Sequence, residues 1–476
     1  MEQRAYFERG LEIIRRLNEL TYEAYLVGGV VRDFLLQIPF TDIDIATSAT
    51  PAQVLEAFPK AQSKATELGC LTLKEDVGIF EITTFRIEEY SKTRKPSQIH
   101  YSTKLYDDIP RRDFTINGLA MSASQKIIDF CGGEKDLKKK LIRTINKPKK
   151  RFKEDPLRIL RAFNLIAHLN FSLEKKTKEA IETMPEALFE ISEYWLSTEM
   201  IKIFTSPYGQ KALKQMKKLS LIPFLPLYGE GLLIIMRSFN DLTLIEKLAI
   251  CYLRLGFIPN HVPLERKQLQ AIDQLMQLSK KMFLEKVNPI ILYEHGLDMV
   301  LSAEKINKLM NKKYRPQGKN IFKAQKQMIN ISSSELAFKG HHLVELTGGK
   351  RGPFIGEIIE TLKQQIIMGI MPNHFNVLQN EAIRLLAKYN LSVDETKPFN
   401  PMINTMEDDN QLRLFNEYKM AFNQLYNEKI AKVSEFITMS KREQDDINVL
   451  LRKETHQELV LKNPEYKIFE VSNNEI

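Results

Sequence analysis

The stretch Tyr25–Thr47, YLVGGVVRDFLLQIPFTDIDIAT, decides how this chain of 476 residues is read. Tyr25-Leu26-Val27 is a short apolar run of the kind that forms a buried strand. Gly28-Gly29 lets the backbone approach a ligand closely, and Val30–Gln37 reads as a helix whose N-terminal N–H groups face that ligand. Asp42 and Asp44 are one residue apart, and the strand period of two sets both carboxylates on one face. Two carboxylates that close repel each other unless a cation sits between them. A hard divalent cation such as Mg²⁺ prefers oxygen ligands and often brings phosphates with it. Alone, a Gly-Gly is usually a turn and an Asp-x-Asp usually a solvated strand end. Within one strand–turn–helix–strand unit they point to a nucleoside triphosphate on a glycine turn, beside a metal held by Asp42 and Asp44.

Outward from this unit the patterning divides the chain. Glu2–Leu20 has helical spacing, and Thr50-Pro51 opens a helix over Ala52–Phe58. Strands are expected at Tyr25–Val27, Asp42–Ala46, Thr72–Lys74, Ile79–Thr84 and Ile127–Asp129, and a helix at Phe114–Met121. Glu88–Thr103 is polar, carries a proline and lacks a period, so it reads as a mobile loop. Beyond Pro148 strand signals fade, and helices are expected from Glu154–Leu169 through Asn376–Tyr389. The expected class is α+β, a small mixed α/β head followed by a long all-α body. The expected division is a head at 1–146, a neck at 147–205, a body at 206–330, a tail at 331–395 and a C-terminal extension at 396–476.

Bulk properties narrow the function. No apolar run approaches the roughly 20 residues that span a bilayer, and MEQRAYFERG has no apolar signal region. Cys70, Cys131 and Cys251 are few and scattered, and read as reduced thiols of a cytoplasmic protein rather than a zinc site. The net charge is +9. From Thr396 onward 14 acidic residues face 11 basic ones, a balance of −3 that leaves +12 on the first 395 residues. The run Lys135–Lys153 is densely basic and suits contact with a polyanion, through Lys149 and Lys150 among others.

The motifs that follow carry a resemblance. The Tyr25–Thr47 block, FEITTFR at Phe80–Arg86, RRDFTINGLAM at Arg111–Met121, DFCGGEKDL at Asp129–Leu137 and EDPLRILR at Glu154–Arg161 agree in order and spacing with a known family over about the first 170 residues. Together they resemble the class II tRNA nucleotidyltransferases, the CCA-adding enzymes, and their bacterial poly(A) polymerase relatives in the DNA polymerase β superfamily. A weaker similarity runs through Gly340–Asn373, around GKRGPFIG.

The resemblance implies addition of C, C and A to the tRNA 3′ end from CTP and ATP, with Mg²⁺ as cofactor and no nucleic-acid template. It implies metal ligation by Asp42 and Asp44, with Glu81 as a further catalytic carboxylate; a strand glutamate paired with Arg86 is the equal alternative for Glu81. Gly28, Gly29 and Arg32 would hold the nucleotide, and Arg112-Asp113 would engage triphosphate and ribose, unless Asp113 merely caps the helix after it. Asp155, Arg158 and Arg161 recur at spacings of three and would share one helical face. By resemblance Asp155 and Arg158 pair with the base in place of a template; an ion-pair helix with an acid and a proline at its start is the plainer reading. Lys350-Arg351, beside Gly349 and Gly352, could touch the RNA backbone; a plain surface loop is the favoured alternative. The chain departs from the family at Asn164 and at Met200, where arginines are usual. A poly(A) polymerase, a C-only or A-only enzyme, and an RNA-binding protein without catalysis are the alternatives. The extension, with helical periods at Leu412–Phe436, permits a docked helix, a partner site or a homodimer contact.

Overall fold

The computed structural model describes residues 2–65, 69–90 and 96–391, with scattered residues between 417 and 464. It divides into two compact units, Met1–Met276 and Gln277–Ile476. The helical periods at Leu412–Phe436 and most of the extension lie outside the described residues.

The first unit begins with helix α1 (Glu2–Glu19), whose Leu11, Ile14 and Leu17 are fully buried. Then come β1 (Ala24–Val27), α2 (Gly29–Leu36), β2 (Ile43–Thr47) and α3 (Pro51–Ala57). Thr50 and Gln53 cap α3 reciprocally, each side chain accepting the other's backbone N–H. The strands β3 (Gln62–Ala65), β4 (Cys70–Glu75) and β5 (Gly78–Thr84) follow. With the short strands β8 (Ala120–Met121) and β9 (Ile127–Ile128) they form one seven-stranded sheet, in the order β3-β4-β5-β2-β1-β8-β9. The pairings are antiparallel except for β2 with β5. Alternation explains the layering. Ile43 and Ile45 of β2 are fully buried while Asp44 between them is half-buried, and each such isoleucine contributes about 1.5–3 kcal/mol.

Three expectations are corrected here. Glu88–Thr103 is not simply a loop. The strands β6 (Arg86–Glu89) and β7 (Gln98–Tyr101) pair antiparallel from Arg86↔Tyr101 to Glu89↔Gln98, and residues 91–95 lie outside the described residues. Its polarity hid the strand because the Glu88 side chain is buried between Arg86 on the same strand and Arg111 from another element. Phe114–Met121 is not a helix. A single 3-10 turn at Thr115–Asn117 leads into β8, where Ala120 opposes Val27; pairing with β1 overrides the local helical spacing. Glu154–Leu169 is not one helix. After α4 (Leu105–Asp108), α5 (Gly133–Lys138) and β10 (Leu141–Ile142), the chain makes α6 (Pro148–Glu154), breaks, and resumes as α7 (Leu157–Leu169). Pro156 disfavours helical geometry at the residue before it, and Asp155 sits at φ −148°, ψ 100°.

From there the described structure is almost wholly helical. β11 (Ser172–Leu173) pairs with β10, and α8 (Lys175–Glu182) and α9 (Glu193–Thr205) follow. The helical spacing over Gly231–Arg254 resolves into two helices, Gly229–Ile235 and Leu244–Leu255. In the second unit the helices Gly340–Leu346, Pro353–Ile367 and Phe375–Leu386 enclose a core of Phe338, Leu343, Leu362, Ile366, Leu378 and Leu386. Among the described residues no helix is long and apolar enough to cross a membrane.

Candidate active site

The glycine turn forms where β1 ends. Gly28 has φ 76° and ψ −133°, a conformation that side-chain-bearing residues rarely adopt. Space matters as much as strain. A Cβ on Gly28 would lie 3.4 Å from Asp44 Oδ2 and 3.7 Å from Arg112 Nη1. The backbone of Gly28, a carboxylate and a guanidinium therefore face one small volume, and α2 begins at its edge with Gly29. That volume is a cavity of about 230 Å³ lined by Gly28, Gly29, Asp44, Arg111, Arg112, Asp113, Asn117, Arg158 and Arg161. Arg111, Arg112, Arg158 and Arg161 make it a receptor for a polyanion with donors in fixed forks.

Each arginine is held. Asp108 is fully buried and accepts from Arg111 Nε at 2.7 Å and from Arg112 Nη2 at 2.9 Å. It also accepts the backbone N–H of Arg86 at 3.2 Å. Burial alone would raise the Asp108 carboxyl, but the Arg112 and Arg111 charges outweigh it and hold it below the usual carboxylate range. Glu88, buried beside Arg111 and Arg86, is lowered in the same way: burial raises it, and Arg111, the Tyr90 hydroxyl and Arg86 overcome that. Arg161 Nη1 lies 3.6 Å from Asp113 Oδ2, while Asp113 Oδ1 accepts from the Phe114 N–H and from Asn117 Nδ2.

Not every expected residue lines the cavity. Asp42 lies one residue before β2, is exposed, and accepts from Thr41 Oγ1 at 3.2 Å. Glu81 sits beside Asp44 in the parallel β2–β5 register, so the two side chains leave the same face of the sheet. Arg86 pairs with Glu88 at 2.7 Å. Arg32 is buried; it binds Asp33 through Nε at 2.7 Å and Nη2 at 2.8 Å, and donates from Nη1 to Asn117 Oδ1. It thereby braces the wall that Asn117 presents. Asp155 stands outside α7 and its Oδ1 accepts the N–H of Leu157 at 3.1 Å. It therefore does not share a helical face with Arg158 and Arg161, which do lie one turn apart on α7. Asp113 caps no helix longer than a turn. Lys149, Lys150, Lys350 and Arg351 are all exposed.

Among the described residues no three His, Cys, Asp or Glu side chains group closely enough to hold a metal ion. Magnesium does not need such a cage, since it is commonly bound by one or two carboxylates together with substrate phosphates. Asp44, with its Oδ2 turned toward the Gly28 backbone in an arginine-rich cavity, suits that shared mode.

Comparison with known proteins fits this geometry. The Poly A polymerase head domain matches residues 24–143, the probable RNA and SrmB-binding site of polymerase A matches 170–228, and a putative tRNA nucleotidyltransferase domain 2 matches 260–383. The CCA-adding enzyme of Geobacillus sp. (strain WCH70) is 33% identical over 392 residues, 77% of this chain and 94% of that protein. That of Bacillus cereus (strain Q1) is 32% identical over 385 residues, 77% and 96% of the two chains. The chain belongs to the family of CCA-adding enzymes. Among solved structures, the Bacillus stearothermophilus CCA-adding enzyme in complex with CTP aligns at a TM-score of 0.65 and 27% identity, covering 81% of this chain and 98% of that one. The Thermotoga maritima CCA-adding enzyme complexed with tRNA aligns at 0.55 and 21% identity over 80% and 94%, a likeness of fold.

For this CCA-adding family member the sequence reading missed Arg111 and Asn117 on the cavity wall and Asp108 behind it. Arg111 and Asn117 lay within the quoted RRDFTINGLAM motif, and the Arg111-Arg112 doublet was a usable signal. Asp108 stands three and four residues before Arg111 and Arg112, a local acid–base spacing that was also a usable signal. Of the cysteines only Cys251 is fully buried. Burial, then the Asp129 charge, pushes the half-buried Cys131 thiol up to about 12, so it stays protonated.

Proposed function

We propose that the cavity at Gly28, Asp44 and Arg112 is the nucleotidyl-transfer site at which this CCA-adding enzyme joins CMP, CMP and AMP to the tRNA 3′ end. The observation that carries the reading is the convergence on one cavity of a glycine turn, a carboxylate and four arginines. The backbone N–H groups opening α2, with Arg111 and Arg112, receive the triphosphate. Asp113 and Asn117 face the ribose. Arg158 and Arg161 project from α7 toward the base, and Asp155, at the break before α7, is the acceptor proposed to join Arg158 in choosing CTP or ATP. Asp42 and Asp44 would hold Mg²⁺, with Glu81 beside Asp44 as the further carboxylate; bound there, the ion lowers the pKa of the attacking 3′-hydroxyl and neutralises the leaving pyrophosphate. Lys149, Lys150, Lys350 and Arg351 are offered as phosphate contacts to RNA. The reading assigns the enzyme to the cytoplasm. The five-part division expected above is part of this proposal; the boundary between the two compact units, at Met276 and Gln277, falls inside its 206–330 body.

The test is product size. The chain is incubated with Mg²⁺ and tRNA lacking its 3′ end, with CTP, ATP or both. Addition of three nucleotides followed by a stop is expected. A long A tail on unrelated RNA would identify a poly(A) polymerase. Extension by C alone or A alone would identify a restricted enzyme.

A further inference from the structure

The four arginines of the cavity are not alone. A fifth, Arg151 on α6, does not line the cavity, yet it is 4% exposed and directed at the turn that carries two of them. Its Nη2 donates to the backbone carbonyl of Arg111 at 2.5 Å and to that of Arg112 at 2.8 Å. Its Nη1 pairs with Glu154 on the same helix. Arg158 reaches the same place from α7: Nη1 donates to the Arg151 carbonyl at 2.9 Å and pairs with Glu154 Oε2 at 3.2 Å, while Nη2 lies 3.4 Å from the Arg111 carbonyl. Two guanidiniums thus share one carboxylate, and one of them spans two consecutive carbonyls.

The turn is therefore fixed from both sides. Asp108 holds the Arg111 and Arg112 side chains, and Arg151 holds their backbone. The two fixings differ in kind. The Arg158 guanidinium lines the cavity, where the edge of an entering base would compete for its N–H groups, whereas Arg151 is not among the residues that line it. A lysine could not replace it, since one ammonium cannot span both carbonyls and still pair with Glu154 in the same fork geometry.

We infer that Arg151 is a positioning residue that pins the Arg111–Arg112 turn to α6, the helix just before the base-selecting α7. Triphosphate affinity then depends on Arg151, and choice of base depends on Arg158. The inference rests on the reading of the cavity as a nucleotide site and adds a residue to which nothing in that reading gives a role.

The experiment uses the full chain and two variants, Arg151→Gln and Arg151→Lys. Direct binding of CTP and of ATP is measured by calorimetry without RNA, and KM and kcat for each nucleotide with tRNA. Arg151→Gln is expected to weaken CTP and ATP alike, by roughly 10- to 100-fold, the range for losing charge-assisted hydrogen bonds. The CTP-to-ATP preference and KM for tRNA should be unchanged, and Arg151→Lys should fall between. A bracing role of the general kind would lower the fraction of folded, active enzyme and kcat, and would leave nucleotide dissociation constants alone. If Arg151→Gln does not fold, Arg151→Lys carries the test, with a smaller equal loss for both nucleotides expected. Unchanged nucleotide affinity in a folded variant overturns the inference. So does a loss confined to one nucleotide, which would make Arg151 part of base choice. A wild-type chain that binds neither nucleotide overturns the inference together with the site assignment; normal wild-type binding matched by the variant overturns the inference alone.

Discussion

Asp108→Asn is the substitution that most directly probes how the cavity is built. Asp108 is 0% exposed and accepts four hydrogen bonds, from Arg111 Nε at 2.7 Å, Arg112 Nη2 at 2.9 Å, Arg112 Nε at 3.1 Å and the Arg86 N–H at 3.2 Å. Asparagine keeps the shape and loses the charge. One of its two terminal atoms becomes an NH₂ that must face a donor, so the bonds on that side are lost and the others become neutral. Breaking a buried pair by removing one partner costs about 3–5 kcal/mol. In urea this lowers the unfolding midpoint of the unit Met1–Met276 by about 1–2 M at the slopes usual for domains. Affinity for CTP and ATP should fall together, because the freed Arg111 and Arg112 no longer present a fixed fork. The pH dependence supplies a sign. The folded Asp108 carboxyl is depressed, so its contribution is fully present above the ordinary carboxylate value of about 4 and is lost as pH falls through its lower folded value. The stability gap between wild type and variant should therefore be flat from pH 8 to about 5 and narrow below about 4. A midpoint within about 0.3 M of wild type, or a gap that widens on acidification, would refute this account of the turn.

Three further outcomes follow from the same geometry. Asp44→Asn should reduce incorporation of both CMP and AMP by at least about 10²–10³-fold, the scale for losing a group aimed at developing charge; single-turnover extension measures it, and a selective effect on one nucleotide would count against a shared transfer site. Gly28→Ala places a Cβ 3.4 Å from Asp44 Oδ2 at φ 76°, so a stability loss of at least about 1–2 kcal/mol is expected with nucleotide affinity reduced, read by thermal unfolding and calorimetry. In the second unit Lys319, Lys323 and Lys326 lie exposed along one face of the helix Gly318–Gln327, beside Phe322, which is 60% exposed, and no acidic residue occurs from Lys305 to Ser334. Replacing all three by Gln should weaken tRNA binding and reduce the slope of log K against log salt by about 2–3, leaving nucleotide affinity in place; an unchanged slope would exclude phosphate contact there.

The glycine turn and the place of Asp44 on β2 were legible because they are set locally, whereas Asp42 falls one residue before the strand and is exposed. Gly28 needs no distant partner to require a positive φ, and period-two alternation located β2 and β5 to within a residue. What stayed hidden was set by long-range pairing. The run Phe114–Met121 has helical spacing, yet β1 offers it an unpaired edge and two of its residues become β8. Glu88 and Asp108 look like surface acids in sequence; Arg86, Arg111 and Arg112 lie within four residues of them, and what only folding adds is their burial and the reach of Arg111 to Glu88. The break at Asp155-Pro156 was readable in principle. The spacing of three between Asp155, Arg158 and Arg161 was compelling enough to obscure the proline's effect on the residue before it.

The two departures from the family turn out to be one feature. Asn164 on α7 donates from Nδ2 to Glu199 Oε2 on α9, and Met200, the neighbour of Glu199, is fully buried. A carboxylate 3% exposed without a cation would be costly. Lys202, one turn further along α9, meets Glu199 Oε1 at 3.1 Å and supplies that charge. The contact between α7 and α9 is therefore kept with a different set of side chains, in which Met200 packs as an apolar residue and Asn164 bonds inward. Asn164 is not on the cavity wall. The positive charge lining that cavity is borne by Arg111, Arg112, Arg158 and Arg161, and none of it depends on the residue at 164.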